Sequence, residues 1–249
     1  MRTNIFLGPV YPMKFSKPLQ QATLIKRYKR FLADIKLESG AVITIHCPNT
    51  GSMRNCGSEG SDVWFSHSDN PKRKYPHTWE LVSVEGGHLA CINTHRANSV
   101  VKEAILAGEI RELAGYSIVR GEVPYGEERS RIDLLLEDRK GFPACYVEIK
   151  SVTLDMGGGL GLFPDAVTSR GAKHLRELMA VKAEGKRAVL FFCVLNSGIN
   201  TVQPADDIDP EYGKLLREAI ECGVEAMAYA SELSPDGISL THRIPVLTV

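Results

Sequence analysis

The chain has 249 residues, 43% of them hydrophobic and 24% charged, which describes an ordinary globular protein with about one or two domains. Its 30 Lys+Arg balance its 30 Asp+Glu, which argues against a generically sticky polyanion binder. No apolar run approaches the roughly 20 residues of a membrane span, and the start, MRTNIFLGPVYPMKFSKPL, lacks the basic n-region and apolar h-region of a signal peptide, so a cytoplasmic protein is expected. The charge is unevenly placed: residues 1–90 carry 12 Lys+Arg against 7 Asp+Glu, residues 91–249 carry 18 against 23. A basic first third before an acidic remainder suggests two modules, one suited to polyanions and one holding carboxylates.

In chain order, residues 1–12 read as an N-terminal extension, with Met13 an alternative start. Candidate strands follow at Gln21–Lys36 (long, bent), Ala41–His46, Asp62–Ser66, Thr78–Val84 and His88–Asn93. Turn formers separate them: Glu38-Ser39-Gly40, Pro48-Asn49-Thr50-Gly51 and Glu85-Gly86-Gly87. Five short strands without a strong helix suggest a small barrel over residues 13–92, of the OB type or the similar SH3-like type. Its runs Lys26-Arg27-Tyr28-Lys29-Arg30-Phe31 and Lys72-Arg73-Lys74-Tyr75 interleave cations with rings. Such surfaces track a nucleic-acid backbone and stack its bases, so Lys26, Arg27, Lys29, Arg30, Lys72, Arg73 and Lys74 are candidate DNA contacts. A solvated charged strand is the plainer alternative.

From residue 93 the pattern changes. Asn98 can cap a helix running to about Ala107, with Val100, Val101, Ala104 and Ile105 on its apolar side. Strands are expected at Ser117–Val123, Arg131–Glu137 and Cys145–Leu154, then a glycine-rich bend, Gly157–Gly161, read as a flexible loop beside the site. A helix over Ser169–Ala183, a wholly apolar strand Ala188–Leu195, a helix after Pro210 and a strand Val224–Ser231 complete residues 93–249. The acidic run Asp206–Glu211 lacks the glycine and spaced glutamate of a calcium loop, whereas Asp209 as cap with Pro210 at the first helical position explains it. A strand meander joined to αβ units implies a mixed sheet with helices on both faces. The six scattered cysteines form no CxxC pair and read as reduced thiols.

The chemistry concentrates in SRIDLLLEDRKGFPACYVEIKS. Asp133 interrupts an apolar run, and in Tyr146-Val147-Glu148-Ile149-Lys150 the strand alternation turns Glu148 and Lys150 to one face. Charges set into hydrophobic strands must be solvated or used, because an unpaired buried charge is costly. Two carboxylates are hard ligands suited to Mg²⁺ or Mn²⁺, and the lysine can orient a water or steady a phosphate. An acid on the second strand and E-x-K on the third, after a helix, resembles the PD-(D/E)xK nuclease superfamily, with Ile132 in place of its proline. The resemblance implies a restriction-endonuclease-like domain. It makes Asp133 and Glu148 metal ligands and Lys150 catalytic, with Glu103 of the preceding helix added to the set. It also sets Arg170 and His174, one helical turn apart, beside a scissile phosphate.

Longer strings narrow the resemblance. Arg27-Tyr28-Lys29-Arg30-Phe31-Leu32-Ala33-Asp34, His46-Cys47-Pro48-Asn49-Thr50-Gly51-Ser52-Met53, Ser68-Asp69-Asn70-Pro71-Lys72-Arg73-Lys74-Tyr75-Pro76 and Phe163-Pro164-Asp165-Ala166-Val167 resemble the bacterial and archaeal sugar fermentation stimulation protein A family, from about Met13 onward. The resemblance implies an OB-like domain followed by a PD-(D/E)xK-like domain, non-specific DNA binding and a regulatory role in maltose and sugar metabolism. Two functions remain open: a Mg²⁺- or Mn²⁺-dependent nuclease, and a DNA-binding regulator that keeps the nuclease fold without turnover.

Overall fold

The computed structural model describes residues 13–248, so the extension expected over residues 1–12 lies outside the described residues. The first strand, β1 (Met13–Lys14), belongs elsewhere and is taken up below. The barrel is built from β2 (Gln20–Tyr28), β3 (Leu32–Lys36), β4 (Val42–His46), β5 (Asp62–His67), β6 (His77–Val84) and β7 (His88–Cys91). Their order is β4-β3-β2-β5-β6-β7, and a parallel pairing of β4 with β6 at His46 and Thr78 closes the sheet on itself. Closure buries Leu24, Ile35, Ile45, Phe65 and Trp79, whose indole N–H donates to the Leu81 carbonyl at 2.9 Å.

The long bent strand expected over Gln21–Lys36 is a hairpin, β2–β3. Its turn holds Lys29 and Arg30 in the left-handed region, at φ 49° and 65°, without a glycine. Arg27 explains how. Its guanidinium donates twice to the Arg30 carbonyl, at 3.1 and 2.8 Å, and to the carbonyls of Asn49 and Gly51, both at 3.0 Å. One side chain therefore fixes both the hairpin tip and the Pro48–Met53 loop.

The second unit contains α1 (Arg96–Leu106), β8 (Ile118–Tyr125), β9 (Ser130–Glu137), β10 (Cys145–Val152), β11 (Leu154–Asp155), β12 (Leu160–Phe163), α2 (Ser169–Ala183), β13 (Arg187–Val194), β14 (Thr201–Pro204), α3 (Pro210–Glu221), β15 (Glu225–Ser234) and β16 (Gly237–Ile244). Seven strands form one mixed sheet in the order β1-β16-β15-β13-β10-β9-β8, parallel through β10, β13 and β15 and antiparallel outside them. On one face α1 packs Val100, Val101 and Ala104 against Leu136, Val147 and Phe191. On the other, α2 and α3 bury Leu175, Leu178 and Leu216 against Leu190 and Phe192. The chain is thus an N-terminal OB barrel followed by a mixed sheet with three α-helices, as the sequence suggests.

Several details differ from expectation. Strand β1 pairs with β16 at the edge of the second sheet rather than entering the barrel, and Met13 and Phe15 lie in the α1-side core. That core offers these two apolar side chains more burial than a sheet edge of the barrel could. The helix begins at Arg96, with His95 as its cap position, so Asn98 is in the first turn and not the cap. The glycine-rich bend is a tight hairpin turn, Gly157, Gly158 and Gly159 all having positive φ between β11 and β12. It borders a hollow with Asn55, His88 and Asp155, away from the acid pair. Asp209 caps α3 as expected, accepting from the Tyr212 amide at 3.0 Å and also from Thr168 at the start of α2 at 2.8 Å.

The two units are locked together. Glu80 of β6, only 1% exposed, takes two hydrogen bonds from Arg96 at the start of α1 (2.9 and 2.7 Å), one from Ser66 (2.7 Å) and one from Asn93 (3.0 Å). Arg96 also lies over the Phe15 ring at 5.1 Å. Backbone bonds join β7 to the end of β13, Cys91 N–H donating to the Leu195 carbonyl at 2.8 Å. Removing one member of a buried, fully hydrogen-bonded pair strands its partners. Replacing Glu80 with Ala is therefore expected to cost about 2–4 kcal/mol in urea unfolding; a loss under about 1 kcal/mol would show that the domain junction does not depend on it.

Candidate active site

Strands β9 and β10 pair antiparallel through Leu136–Cys145, Leu135–Tyr146 and Leu134–Val147, and there the ladder stops. The same register sets Asp133 opposite Glu148. Asp133 takes over a ladder position with its side chain: Oδ2 accepts the Ile149 amide at 2.7 Å, and Oδ1 accepts from Asn98 Nδ2 at 2.8 Å. With a carboxylate where a strand carbonyl would have been, the strands part and leave both acids at the gap.

Glu148 is 2% exposed. Its Oε1 accepts from Lys150 Nζ at 2.8 Å and from His174 Nδ1 of α2, while Oε2 is buried with no hydrogen-bond partner among the described residues. Arg170 Nε–H donates to His174 Nε2 at 3.3 Å, which leaves Nδ1 as the nitrogen that carries the proton to Glu148. Arg170, His174, Glu148 and Lys150 thus form one continuous chain, with Asp133 and Asn98 across the gap. The sequence expectation that Glu148 and Lys150 share a face is met by this contact, and Arg170 and His174 stand on the same side.

The electrostatics are those of two acids held together. Burial, and then the Glu148 charge, push the Asp133 carboxyl up to about 6, against the lowering effect of the Ile149 amide and Asn98. Burial also raises Glu148, but the His174 hydrogen bond and the Lys150 charge outweigh it and hold Glu148 below its ordinary value. The pair therefore carries close to two negative charges at neutral pH, only partly compensated.

Such a gap fits a hard divalent ion, because every side-chain donor is oxygen and Glu148 Oε2 is a buried acceptor awaiting a partner. Among the described residues no three His, Cys, Asp or Glu side chains form a metal cluster. An ion here would rest on Asp133, Glu148, backbone oxygen and water, a set that suits Mg²⁺, which keeps several of its waters.

Glu103 is not part of this arrangement. It is exposed on α1, and its five-residue separation from Asn98 turns it about 140° round the helix axis. The residue that α1 sends to the acid pair is Asn98. Helical phase holds the missed signal, since Asn98 flanks the apolar arc of Ala97, Val101 and Ile105 and Glu103 stands outside it.

A cleft of about 440 Å³ lies between the two units beside the gap, lined by Asn98 and Lys150, which contact the acids, and not by Asp133 or Glu148 themselves. Asn98, Ile149 and Lys150 line one wall, Arg30 and Asn49 of the barrel another, and Asp165 lies between them. Asp165 Oδ2 accepts from the Met53 amide and the Ser52 hydroxyl, both at 3.4 Å. Gly51 makes this docking possible: a Cβ there would land on the Asp165 carboxylate.

The basic runs divide by role. Arg27 is spent on backbone carbonyls and is a structural clamp rather than a free DNA contact. Tyr28 is likewise engaged, its hydroxyl donating to Asp34 at 3.0 Å. Lys26 is exposed, 3.9 Å from Asp34; Lys29 and Arg30 are exposed at the hairpin tip, beside Phe31, which is 44% exposed. Lys72, Arg73 and Lys74 are exposed on the loop before β6, Arg73 donating to Thr78 Oγ1 at 3.0 Å and Lys74 lying over Tyr75 at 5.6 Å.

Two family models match the chain: "Sugar fermentation stimulation protein RE domain" over residues 95–237 and "SfsA N-terminal OB domain" over residues 25–92. Similar proteins include the sugar fermentation stimulation protein homolog of Pseudomonas aeruginosa PAO1, 57% identical over 235 residues, covering 94% of this chain and 99% of that one. The homolog of Shewanella loihica is 58% identical over 234 residues, with the same coverage. A solved structure, SfsA of Pyrococcus furiosus in complex with Ca²⁺, superposes with a TM-score of 0.85 at 26% identity, over 96% of this chain and 100% of the other.

Because the folded-state value of Asp133 (about 6) lies above its ordinary value of 3.8, the folded chain binds the extra proton between those limits. Its ionisation therefore opposes folding above about pH 6, and the penalty fades as pH falls toward 4. Relative to Asp133→Asn, whose amide does not titrate but keeps only one of the two acceptors, the wild type is expected to lose about 1–2 kcal/mol of stability between pH 4 and pH 8. Thermal melts across that range check it, and a difference between the two proteins that does not change with pH contradicts the reading of the gap as electrostatically strained.

Proposed function

Because the chain belongs to the sugar fermentation stimulation protein family, whose models cover both of its domains, we propose that it is a divalent-metal-dependent phosphodiesterase acting on nucleic acid. The observation that carries this reading is the strand gap, where the register sets Asp133 opposite Glu148, whose Oε1 accepts from Lys150 and whose Oε2 is buried without a hydrogen-bond partner among the described residues. A buried carboxylate oxygen without a hydrogen-bond partner is costly unless a ligand or a water fills it. The Pyrococcus furiosus relative is described in complex with Ca²⁺, a hard cation of the class that carboxylates hold. Mg²⁺ or Mn²⁺ bound between Asp133 and Glu148 would supply Lewis-acid stabilisation of a phosphoryl oxygen.

The chain's own groups do the remaining work. Lys150, free to swing from Glu148, steadies charge developing on the phosphate or orients the attacking water. His174, held by Arg170, keeps Glu148 ionised and oriented. Asn98 and the Ile149 amide hold Asp133 in place. Arg30 reaches the same cleft from the barrel and contacts the polyanion, whose backbone runs on along the exposed Lys29, Lys72 and Lys74. Net attraction is local, which suits non-specific DNA binding by a protein of zero overall charge. On this reading the effect on sugar fermentation for which the family is named, including any on maltose metabolism, is exerted through nucleic acid.

A second reading, a DNA-binding regulator without turnover, is favoured by the position of Glu103, which leaves the pair without a third acidic side chain. Incubation with single- and double-stranded DNA and RNA plus Mg²⁺ or Mn²⁺ separates the two. Cleavage is expected from the wild type, to fall at least about 10³-fold in Asp133→Ala and Lys150→Ala and to be unchanged in Glu103→Gln. A wild type that binds every substrate and cuts none leaves the regulator.

For binding, replacing Lys72, Arg73 and Lys74 together with Ala is expected to weaken affinity uniformly across sequences. It should also flatten the dependence of log affinity on log salt by about two to three. An unchanged slope removes the barrel from the DNA path.

A further inference from the structure

A second hollow, of about 420 Å³, lies where the barrel meets the first turn of α1. The barrel contributes His46 at the end of β4, Arg73 and Thr78; α1 and its approach contribute His95, Arg96 and Ser99. Glu80 also lines it, but its carboxylate is filled by Arg96, Ser66 and Asn93, so the remaining character is cationic and hydroxylic. Arg73 is held across the hollow by its 3.0 Å bond to Thr78 Oγ1. His46 Nδ1 is buried with no hydrogen-bond partner among the described residues.

We propose that this hollow is a phosphate-binding subsite in which Arg73, His46 and His95 hold one phosphate group of a nucleic-acid strand. The assignment rests on the reading of the chain as a nucleic-acid enzyme and adds a fixed anchor to it. His95 and Ser99 lie on one side of the first turn of α1, and Asn98, which contacts Asp133, lines the cleft on the other. A strand gripped here would lie across the first turn of α1 from Asn98 and the acid that Asn98 contacts. Burial, and then the nearby Arg73 and His95, hold the His46 imidazole below its ordinary range, so it meets a ligand here as a neutral hydrogen-bonding group beside the Arg73 cation. A phosphate pairs with that cation and gives His46 Nδ1 a partner. The guanidinium can take two of its oxygens at once, with the Ser99 and Thr78 hydroxyls nearby. The phosphate can be an internal diester of the backbone or a terminal monoester.

The test compares the full wild-type chain with the Arg73→Ala/His95→Gln double variant; both side chains are exposed, so folding is not at stake. Inorganic phosphate is titrated while the His46 and His95 ring signals are followed by NMR. A short fluorescein-labelled single strand, with a 5′-hydroxyl or a 5′-phosphate, is titrated by anisotropy. We expect phosphate to move the His46 ring signals in the wild type and not in the double variant. The variant should bind the strand about tenfold more weakly, with a salt slope smaller by about one. Equal loss for both strands assigns an internal diester, and loss confined to the 5′-phosphorylated strand assigns a terminal monoester. Ring signals that ignore phosphate, together with unchanged strand affinity, overturn the subsite. Asp133→Ala keeps the hollow intact, so a failed cleavage assay leaves this result readable.

Discussion

Two carboxylates forced together at a break in a buried sheet are the constraint from which the rest of the site follows. Leu134 and Val147 still pair as strand residues, and one step later Asp133 and Glu148 cannot, because Asp133 gives its side chain to the Ile149 amide. Two like charges in a place of reduced dielectric repel each other and lose hydration. Each surrounding group can be understood as a response to that cost. Lys150 and His174 neutralise one oxygen of Glu148, Arg170 fixes His174, and Asn98 and a backbone amide satisfy Asp133. The compensation stops one acceptor short, at Glu148 Oε2.

The barrel is part of this site rather than an appendage to it. Glu80 and Arg96 tie β6 to the start of α1, so the same contact that joins the domains also sets the azimuth at which Asn98 meets Asp133. Arg27 works on a second scale. By collecting the carbonyls of Arg30, Asn49 and Gly51 it holds the hairpin tip and the adjoining loop as one rigid wall, against which Asp165 docks. A backbone held in the left-handed region at Lys29 and Arg30 costs on the order of 1 kcal/mol per residue. The hydrogen bonds of one guanidinium offset it, and the result is Arg30 presented to the cleft.

Much of this was legible in the sequence because it obeys local periodicity. Strand alternation puts Glu148 and Lys150 on one face, the i, i+4 spacing puts Arg170 beside His174, and Asp209-Pro210 announces the start of α3. What escaped depends on distant partners. The Lys29–Arg30 turn has no glycine, and only the Arg27 clamp makes it a turn. Strand β1 is two residues long and finds its partner more than 200 residues away, at Gly237 and Ile238. Strands β11, β12 and β14 are too short for a period to show. Glu103 enters the expected set only through the resemblance and Asn98 only as a cap, whereas α1 presents Asn98 to Asp133. The phase of the apolar arc, applied strictly, separates them.

Lysine at position 150 is the most telling choice. An arginine would bind Glu148 more rigidly, through a planar fork that loses little entropy on pairing. A purely structural neutraliser of a buried acid would be better served by it. The ammonium of Lys150 is a compact charge on a flexible stem, with one hydrogen bond to Glu148 Oε1 at 2.8 Å and an approach of 3.2 Å to His174 Nδ1. Its side chain is about 11% exposed and lines the cleft, which the role proposed for it on a phosphate requires. If Asp133 and Glu148 held a divalent ion, it would supply part of the charge that Lys150 now gives Glu148, and a flexible ammonium, unlike a forked guanidinium, would be able to give up that contact.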